Sequence, residues 1–180
     1  LINMAIIHHQ FERIHPFYDG NGRTGRIINI LYLVKENLLK TPILYLSRYI
    51  NKNKDEYYRL LQSVRTDGTW EEWILFMLDG IEQTAMETID LIWKIRELML
   101  SQKHLMRTSC PQIYSQDLLN NIFKHPYTKI EFVMSDLSKS RITATKYLDT
   151  LCDIGILEKI KLWKENFYIN TPLFKLFQNI

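Results

Sequence analysis

Cysteine is almost missing from this chain, since Cys110 and Cys152 are the only two among 180 residues. They are far apart and form no CxxC pair, which excludes a disulfide framework and a cysteine-based zinc site. No apolar run is long enough to cross a bilayer, and the first residues, LINMAIIHHQF, lack the basic start of a secretory signal. These absences predict a soluble, cytoplasmic protein that does not enter a membrane.

An excess of either charge is also lacking. The 23 basic and 20 acidic residues give a formal net charge of +3 and form no long block of one sign, which only weakly favours an anionic partner. Apolar residues make up 46% of the chain, enough for a sizeable core. The chain starts at Leu1, already within a helical pattern, so we expect it to be a fragment that lacks an N-terminal portion.

Helical periodicity dominates the first hundred residues. In residues 2–14 the apolar positions recur at helical spacing, and Pro16 predicts that the helix stops just after His15. A second helical pattern follows the glycines of residues 20–25, and a short and a longer helix are predicted between Pro42 and Gly68. The longest pattern carries a broad apolar stripe that we expect to be core; it comprises Trp70, Trp73, Ile74, Met77, Leu78, Ile81, Ala85, Ile89, Ile92 and Met99.

A domain boundary is predicted where this pattern fades, in the stretch 101–112, which contains Pro111. Residues 1–108 then form one domain and residues 109–180 another. The second has short helical patterns, Ser140 as a helix N-cap, Gly155 as a helix stop, and two alternating strands. The pattern resembles a winged helix, so the fold class is mainly α with a small α+β domain at the C-terminus.

The segment HPFYDGNGRTGR, residues 15–26, carries the chemistry. A glycine-rich turn that opens a helix leaves backbone N–H groups free to bind a phosphate, and Arg23 and Arg26 add guanidinium groups suited to phosphate oxygens. Asp19 is placed to hold Mg²⁺, which takes few protein carboxylates and completes its shell with phosphates and water. His15, just before the turn, is the candidate general base. Together these residues predict a nucleoside triphosphate site.

The same segment resembles the signature of the Fic family, HxFx(D/E)GNGRxxR, at every fixed position. The resemblance implies a helical Fic bundle and a protein adenylyltransferase that transfers AMP from ATP to a Ser, Thr or Tyr hydroxyl of a target protein. It implies His15 as general base, Asp19 as the Mg²⁺ ligand and Phe17 as a buried anchor of the loop. The implied phosphate-binding set is Gly20, Asn21, Gly22, Arg23, Thr24, Gly25 and Arg26, in which Asn21 holds the α-phosphate and Arg26 the γ-phosphate. Relatives of the Doc type that act as kinases carry a lysine where Gly22 stands here.

Beyond this segment, the chain resembles a bacterial Fic subgroup that appends a C-terminal winged helix. The resemblance implies that Tyr57 and Tyr58 line the adenine pocket, whereas Arg65 replaces an asparagine found in some relatives. For aromatic residues on a helix, packing is the alternative role. The inhibitory string (S/T)xxxE(G/N) of this subgroup does not occur in the 180 residues.

Two further features leave alternatives open. His8 and His9 are adjacent on a helix, point to different faces and have no ligand set around them, so structural histidines are favoured over a metal site. The winged-helix pattern allows a DNA-binding, nucleotide-sensing regulator, yet residues 128–165 hold seven basic residues against six acidic ones. Contact with protein, including a homodimer, is an equal alternative.

Overall fold

The computed structural model describes residues 1–178. Their helices are α1 Ile2–Ile14, α2 Asn21–Lys35, α3 Leu46–Lys52, α4 Lys54–Asp67, α5 Trp70–Ser109, α6 Gln116–Lys124, α7 Ile130–Leu137, α8 Arg141–Asp153 and α9 Thr171–Gln178. The strands are β1 Tyr127–Thr128, β2 Glu158–Leu162 and β3 Glu165–Ile169, in the antiparallel order β1-β3-β2. The prediction of a mainly helical chain with a small sheet near its C-terminus is confirmed.

The chain folds into two compact units, which divide between Asp90 and Leu91 inside α5. The sequence placed the boundary later, at 108/109. Residues from 101 to 109 are helical and belong with the second unit, because Met106 is fully buried in its core and the Gln102 side chain exchanges hydrogen bonds with Asn170. The expected irregular linker at 101–112 is therefore mostly helix.

The first unit packs α1 to α4 and the start of α5 around one apolar core. Its central side chain is Trp73, which is fully buried and donates its indole N–H to the Ala5 carbonyl at 2.9 Å. The rest of this core is Met4, Ala5, Leu33, Leu44, Leu46, Ile50, Tyr57, Leu60, Val64, Phe76 and Met77. Helix α1 is thereby held where it can present its C-terminus to the turn before α2.

Two separate parts of the apolar stripe in α5 contact a core: its first residues lie in the core of the first unit, and Met99 packs against the core of the second. Trp73 and Met77 are buried, whereas Ile89 and Ile92 are about half exposed. The expectation that the whole stripe is buried was wrong, because a 40-residue helix is longer than the layer of helices that can cover one of its faces.

The second unit surrounds its own core with α6, α7, α8 and the three-stranded sheet. Ser140 caps α8 by accepting from the Thr143 N–H, and Leu148 and Leu151 are fully buried, as the sequence predicted. Gly155, with φ of 76°, follows the end of α8. The strands β2 and β3 pair in register from Glu158–Ile169 to Leu162–Glu165.

Within residues 1–178, no helix combines the length and the apolar character needed to span a membrane.

Candidate functional site

His15 stands at the start of the loop between α1 and α2. His15 is the C-cap of α1, in the left-handed region at φ of 50°, and its N–H donates to the Phe11 carbonyl at 3.0 Å. Because Pro16 has no N–H and follows this left-handed residue, the chain leaves the helix axis sharply. The imidazole is exposed to solvent and can meet a substrate.

Asn21 fixes the conformation of this loop. Its buried amide makes a reciprocal pair with the backbone of Phe17, accepting from the N–H at 2.9 Å and donating to the carbonyl at 2.6 Å. The Asn21 amide is therefore engaged with the chain itself, and its predicted contact with the α-phosphate stays a prediction. Phe17 was also expected to be a buried anchor, but its side chain is 51% exposed. The backbone of Phe17 is the anchored part.

The first turn of α2 forms the anion-binding feature. Gly20 is the N-cap at φ of 84°, a conformation that favours glycine. The first hydrogen bond of the helix is donated by the Thr24 N–H to the Gly20 carbonyl. The preceding N–H groups, those of Asn21, Gly22 and Arg23, have no acceptor within the helix. They coincide with the positive end of the helix dipole, so this end of α2 favours an anion.

Asp19 and Arg23 lie on the exposed side of this turn. The Asp19 carboxylate accepts from the Gly20 N–H at 2.6 Å and from the Arg23 guanidinium at 3.3 Å. Both side chains are largely exposed, so the pair is weak and both groups are free to exchange partners. Thr24 is half-buried on the same turn.

Gly25 serves the packing of α2 against α1. A Cβ atom at Gly25 would lie 2.5 Å from Oε1 of Glu12 and 3.1 Å from Cε1 of His8. Gly25 is buried, and its missing side chain makes room for these two groups of α1. The structure thus gives Gly25 a packing role rather than the phosphate contact expected from the sequence. Arg26, one residue on, is half-buried near the same helix crossing.

Two buried histidines lie beneath the site. Nε2 of His8 and the Tyr57 hydroxyl share a hydrogen bond of 2.9 Å, and the His8 ring stacks on Trp73. His9 makes a 3.3 Å contact to the Leu61 carbonyl. No group of three or more His, Cys, Asp or Glu residues able to hold a metal occurs in residues 1–178. The sequence-based preference for structural histidines agrees with this environment.

Tyr57 and Tyr58 have different environments. Tyr57 is buried in the core, where burial raises the pKa of its hydroxyl, whereas Tyr58 is 57% exposed. A cavity of about 390 Å³ is lined by His9, Glu12, Arg13, His15, Tyr58, Leu61, Gln62 and Arg65. Of the two tyrosines, Tyr58 lines this cavity next to His15 and Tyr57 does not. Sequence reasoning missed Glu12, whose place three residues before His15 puts it on the same side of α1.

We expect a pH-dependent stability in the first unit. Burial lowers the pKa of His8 to about 4, and the nearby Arg26 charge acts in the same direction. Because the unfolded chain takes up this proton near pH 6.5 and the folded chain does not, the stabilising contribution is complete above pH 6.5 and is lost as the pH falls toward 4. The loss approaches about 3 kcal/mol.

Denaturant unfolding between pH 7 and 4 measures this effect. The slope of unfolding free energy against pH should flatten in His8→Gln and stay unchanged in the control His104→Gln, since His104 is exposed. An equal slope in wild type and His8→Gln would contradict the assignment to His8.

One short loop joins an exposed histidine to a glycine-capped helix N-terminus that carries two arginines, an arrangement suited to an anion. Residues 1–33 match the Fic/DOC family. Residues 98–173 match a second family, described as the C-terminal domain of SoFic-like protein adenylyltransferases. These two matches confirm the resemblance to the Fic family noted in the sequence.

The names of similar proteins are consistent with these two family matches. The chain is 33% identical over 95 residues to a "Protein adenylyltransferase Fic" of Aedes aegypti, covering 52% of this chain and 17% of the relative. It is 48% identical over 46 residues to a "Probable protein adenylyltransferase" of Aquifex aeolicus, covering 26% of this chain and 14% of that protein. The matched region thus spans less than a fifth of the length of these two relatives.

Proposed function

We propose that this chain carries the nucleotide-binding and base-catalytic part of a protein adenylyltransferase, which transfers AMP from ATP to a Ser, Thr or Tyr hydroxyl of a target protein. The observation that carries the proposal is the loop between α1 and α2. It joins an exposed histidine to a helix N-terminus with free N–H groups over a span of six residues, from His15 to Gly20.

His15 is the general base of the proposed reaction. Its imidazole takes the proton of the target hydroxyl as the hydroxyl oxygen attacks the α-phosphorus of ATP. The bond from that phosphorus to the oxygen bridging toward the β-phosphate then breaks, and pyrophosphate leaves. The position of His15 supports this role, because its exposed side chain lies at the end of α1, in the loop that leads to the N-cap of α2.

The start of α2 binds the phosphates in this proposal. The free N–H groups of Asn21, Gly22 and Arg23 stabilise the negative charge on the transferring phosphate. Because the helix already fixes these N–H groups, the protein does not have to reorganise during the reaction. Arg23 and Arg26, with Thr24 beside them, contact the remaining phosphate oxygens. The Asn21 side chain contributes by holding the loop through Phe17.

Asp19 would hold Mg²⁺. Its exposed carboxylate lies at the phosphate-binding turn and already accepts from a cationic partner, Arg23. A single carboxylate fits Mg²⁺, which takes most of its ligands from substrate phosphates and water. When bound, the ion would neutralise charge on the departing pyrophosphate.

Tyr58 and the cavity beside His15 are the adenine-binding candidates. A cavity of about 390 Å³ lies within the usual range for small-ligand sites. Tyr58 offers an aromatic face, and Arg65 offers a guanidinium for stacking on the base. Tyr57 packs against Tyr58, with their ring centroids 5.3 Å apart.

Transfer of AMP can be distinguished from phosphate transfer by the position of a label. With Mg²⁺ and ATP labelled at the α-phosphate, we expect label on acceptor protein, since the leaving group is pyrophosphate. With ATP labelled at the γ-phosphate, we expect none. Label from the γ-phosphate alone would identify a kinase, and absence of both on the full-length protein and on candidate targets would refute the proposal.

For the second unit we infer a winged-helix fold that contacts protein rather than DNA. Support for the fold comes from the order α6-β1-α7-α8-β2-β3. The basic and acidic residues of 128–165 nearly balance, and two of the cations have an acidic neighbour: Arg141 pairs with Glu131 at 2.9 Å and Lys159 with Asp149 at 2.9 Å. DNA binding requires basic groups that are available to phosphates.

A further inference from the structure

Glu12 places a carboxylate oxygen in a buried position between α1 and α2. Within the described residues, its Oε1 is inaccessible and makes no hydrogen bond. Burial raises the pKa of the Glu12 carboxyl, while the charges of His15 and Arg26 act in the opposite direction. A buried carboxylate costs free energy unless nearby charges compensate for its lost hydration.

Gly25 of α2 creates the space that Glu12 occupies. Oε1 of Glu12 lies 2.5 Å from the position that a Cβ on Gly25 would take and 4.0 Å from the corresponding position on Gly22. Any side chain at Gly25 would push the carboxylate away. Helix α2 is therefore shaped to admit this acidic group from α1 into the phosphate-binding turn.

Arg26 approaches the same space from α2. Its Nη1 lies 3.3 Å from the Cβ position of Gly22, and its Nε is buried without a hydrogen-bond partner among the described residues. The Glu12 carboxylate and the Arg26 guanidinium thus both lie near Gly22, although the two side chains form no direct ion pair. At this partly buried position their attraction is stronger than it would be in water.

We propose that Glu12 is a positioning residue, which holds the Arg26 guanidinium in the orientation that binds the terminal phosphates of the nucleotide. This role rests on the function proposed above. A positioning role and a simple electrostatic effect of Glu12 predict opposite changes in the preference for ATP over AMP. A negative charge beside the site repels ATP more than AMP, so its removal should favour ATP if charge alone matters. If Glu12 orients Arg26, its removal should instead weaken the preference for ATP.

Equilibrium binding of ATP and of AMP, each with Mg²⁺, tests the proposal. The quantity measured is the ratio of the AMP Kd to the ATP Kd for wild type, Glu12→Gln and Arg26→Ala. We expect wild type to prefer ATP and Arg26→Ala to lose that preference. The ratio for Glu12→Gln should fall by roughly three- to tenfold relative to wild type.

Glu36→Gln is the matched control, because Glu36 is an exposed carboxylate at the end of α2 and should leave the ratio unchanged. An unchanged or higher ratio in Glu12→Gln, beside a loss in Arg26→Ala, overturns the role of Glu12 alone. Equal ratios in wild type and Arg26→Ala overturn the proposed phosphate site, and the role of Glu12 with it.

We expect Glu12→Gln to melt at the same or a higher temperature than wild type, since an amide is buried at lower cost than a carboxylate. A drop in melting temperature with an unchanged ratio would assign Glu12 a structural role and overturn the proposal.

Discussion

Replacement of His15 by alanine is expected to lower the rate of AMP transfer by roughly 10²–10⁴-fold, the usual contribution of a positioned general base. The target hydroxyl then has no acceptor for its proton when it attacks the α-phosphate. ATP affinity should change little, because the N–H groups at the start of α2 and the two arginines remain. The measurement is the rate of label transfer from α-labelled ATP at saturating nucleotide, with ATP binding determined separately.

The backbone at His15 calls for a second variant. Its φ of 50° is costly for alanine but better tolerated by asparagine. His15→Asn therefore removes the base while it preserves the loop, and its rate should fall as far as that of His15→Ala. The control His104→Ala changes an exposed histidine elsewhere and should transfer at the wild-type rate. Transfer by His15→Asn at the wild-type rate would show that His15 is not the base.

Replacement of Trp73 by alanine is expected to destabilise the first unit by about 3–5 kcal/mol, the usual cost of removing a buried aromatic side chain. Trp73 is 0% exposed, holds the Ala5 carbonyl of α1 at 2.9 Å and stacks on His8. Its loss leaves a cavity and removes the indole hydrogen bond to the Ala5 carbonyl, at the contact that positions α1. The site should therefore weaken together with the fold.

Urea unfolding followed by far-UV circular dichroism measures the effect. Because the chain has two compact units, an early transition of the first unit is the expected signature. Trp93→Ala is the matched control, since Trp93 is 54% exposed and should cost less than about 1 kcal/mol. Equal unfolding curves for Trp73→Ala and wild type would contradict a central role for this side chain.

Local features were predictable from the sequence because they depend on neighbouring residues. Pro16 and the glycines set the end of α1 and the start of α2, and Ser140 set the start of α8. The glycine-rich turn and its arginines indicated an anion site through the residue pattern alone. These signals act through backbone conformation and hydrogen bonding within a few residues.

The division of roles within the site was not predictable in this way. Asn21 binds the backbone of Phe17, and Gly25 makes room for Glu12. Tyr57 and Tyr58 are adjacent in sequence, yet one lies in the core and the other beside the cavity. Each of these outcomes depends on which segment packs against which, and periodicity does not give that information.

The sequence by itself indicated the resemblance to the Fic family, the helical character and the glycine-rich turn, because short-range conformational preferences and a specific residue pattern encode them. Only the tertiary structure decided which side chains are available to a substrate. It buried His8, left His15 exposed and brought Glu12 next to Arg26. The physical reason is that burial and electrostatic environment arise where α1 crosses α2, between residues that are distant along the chain.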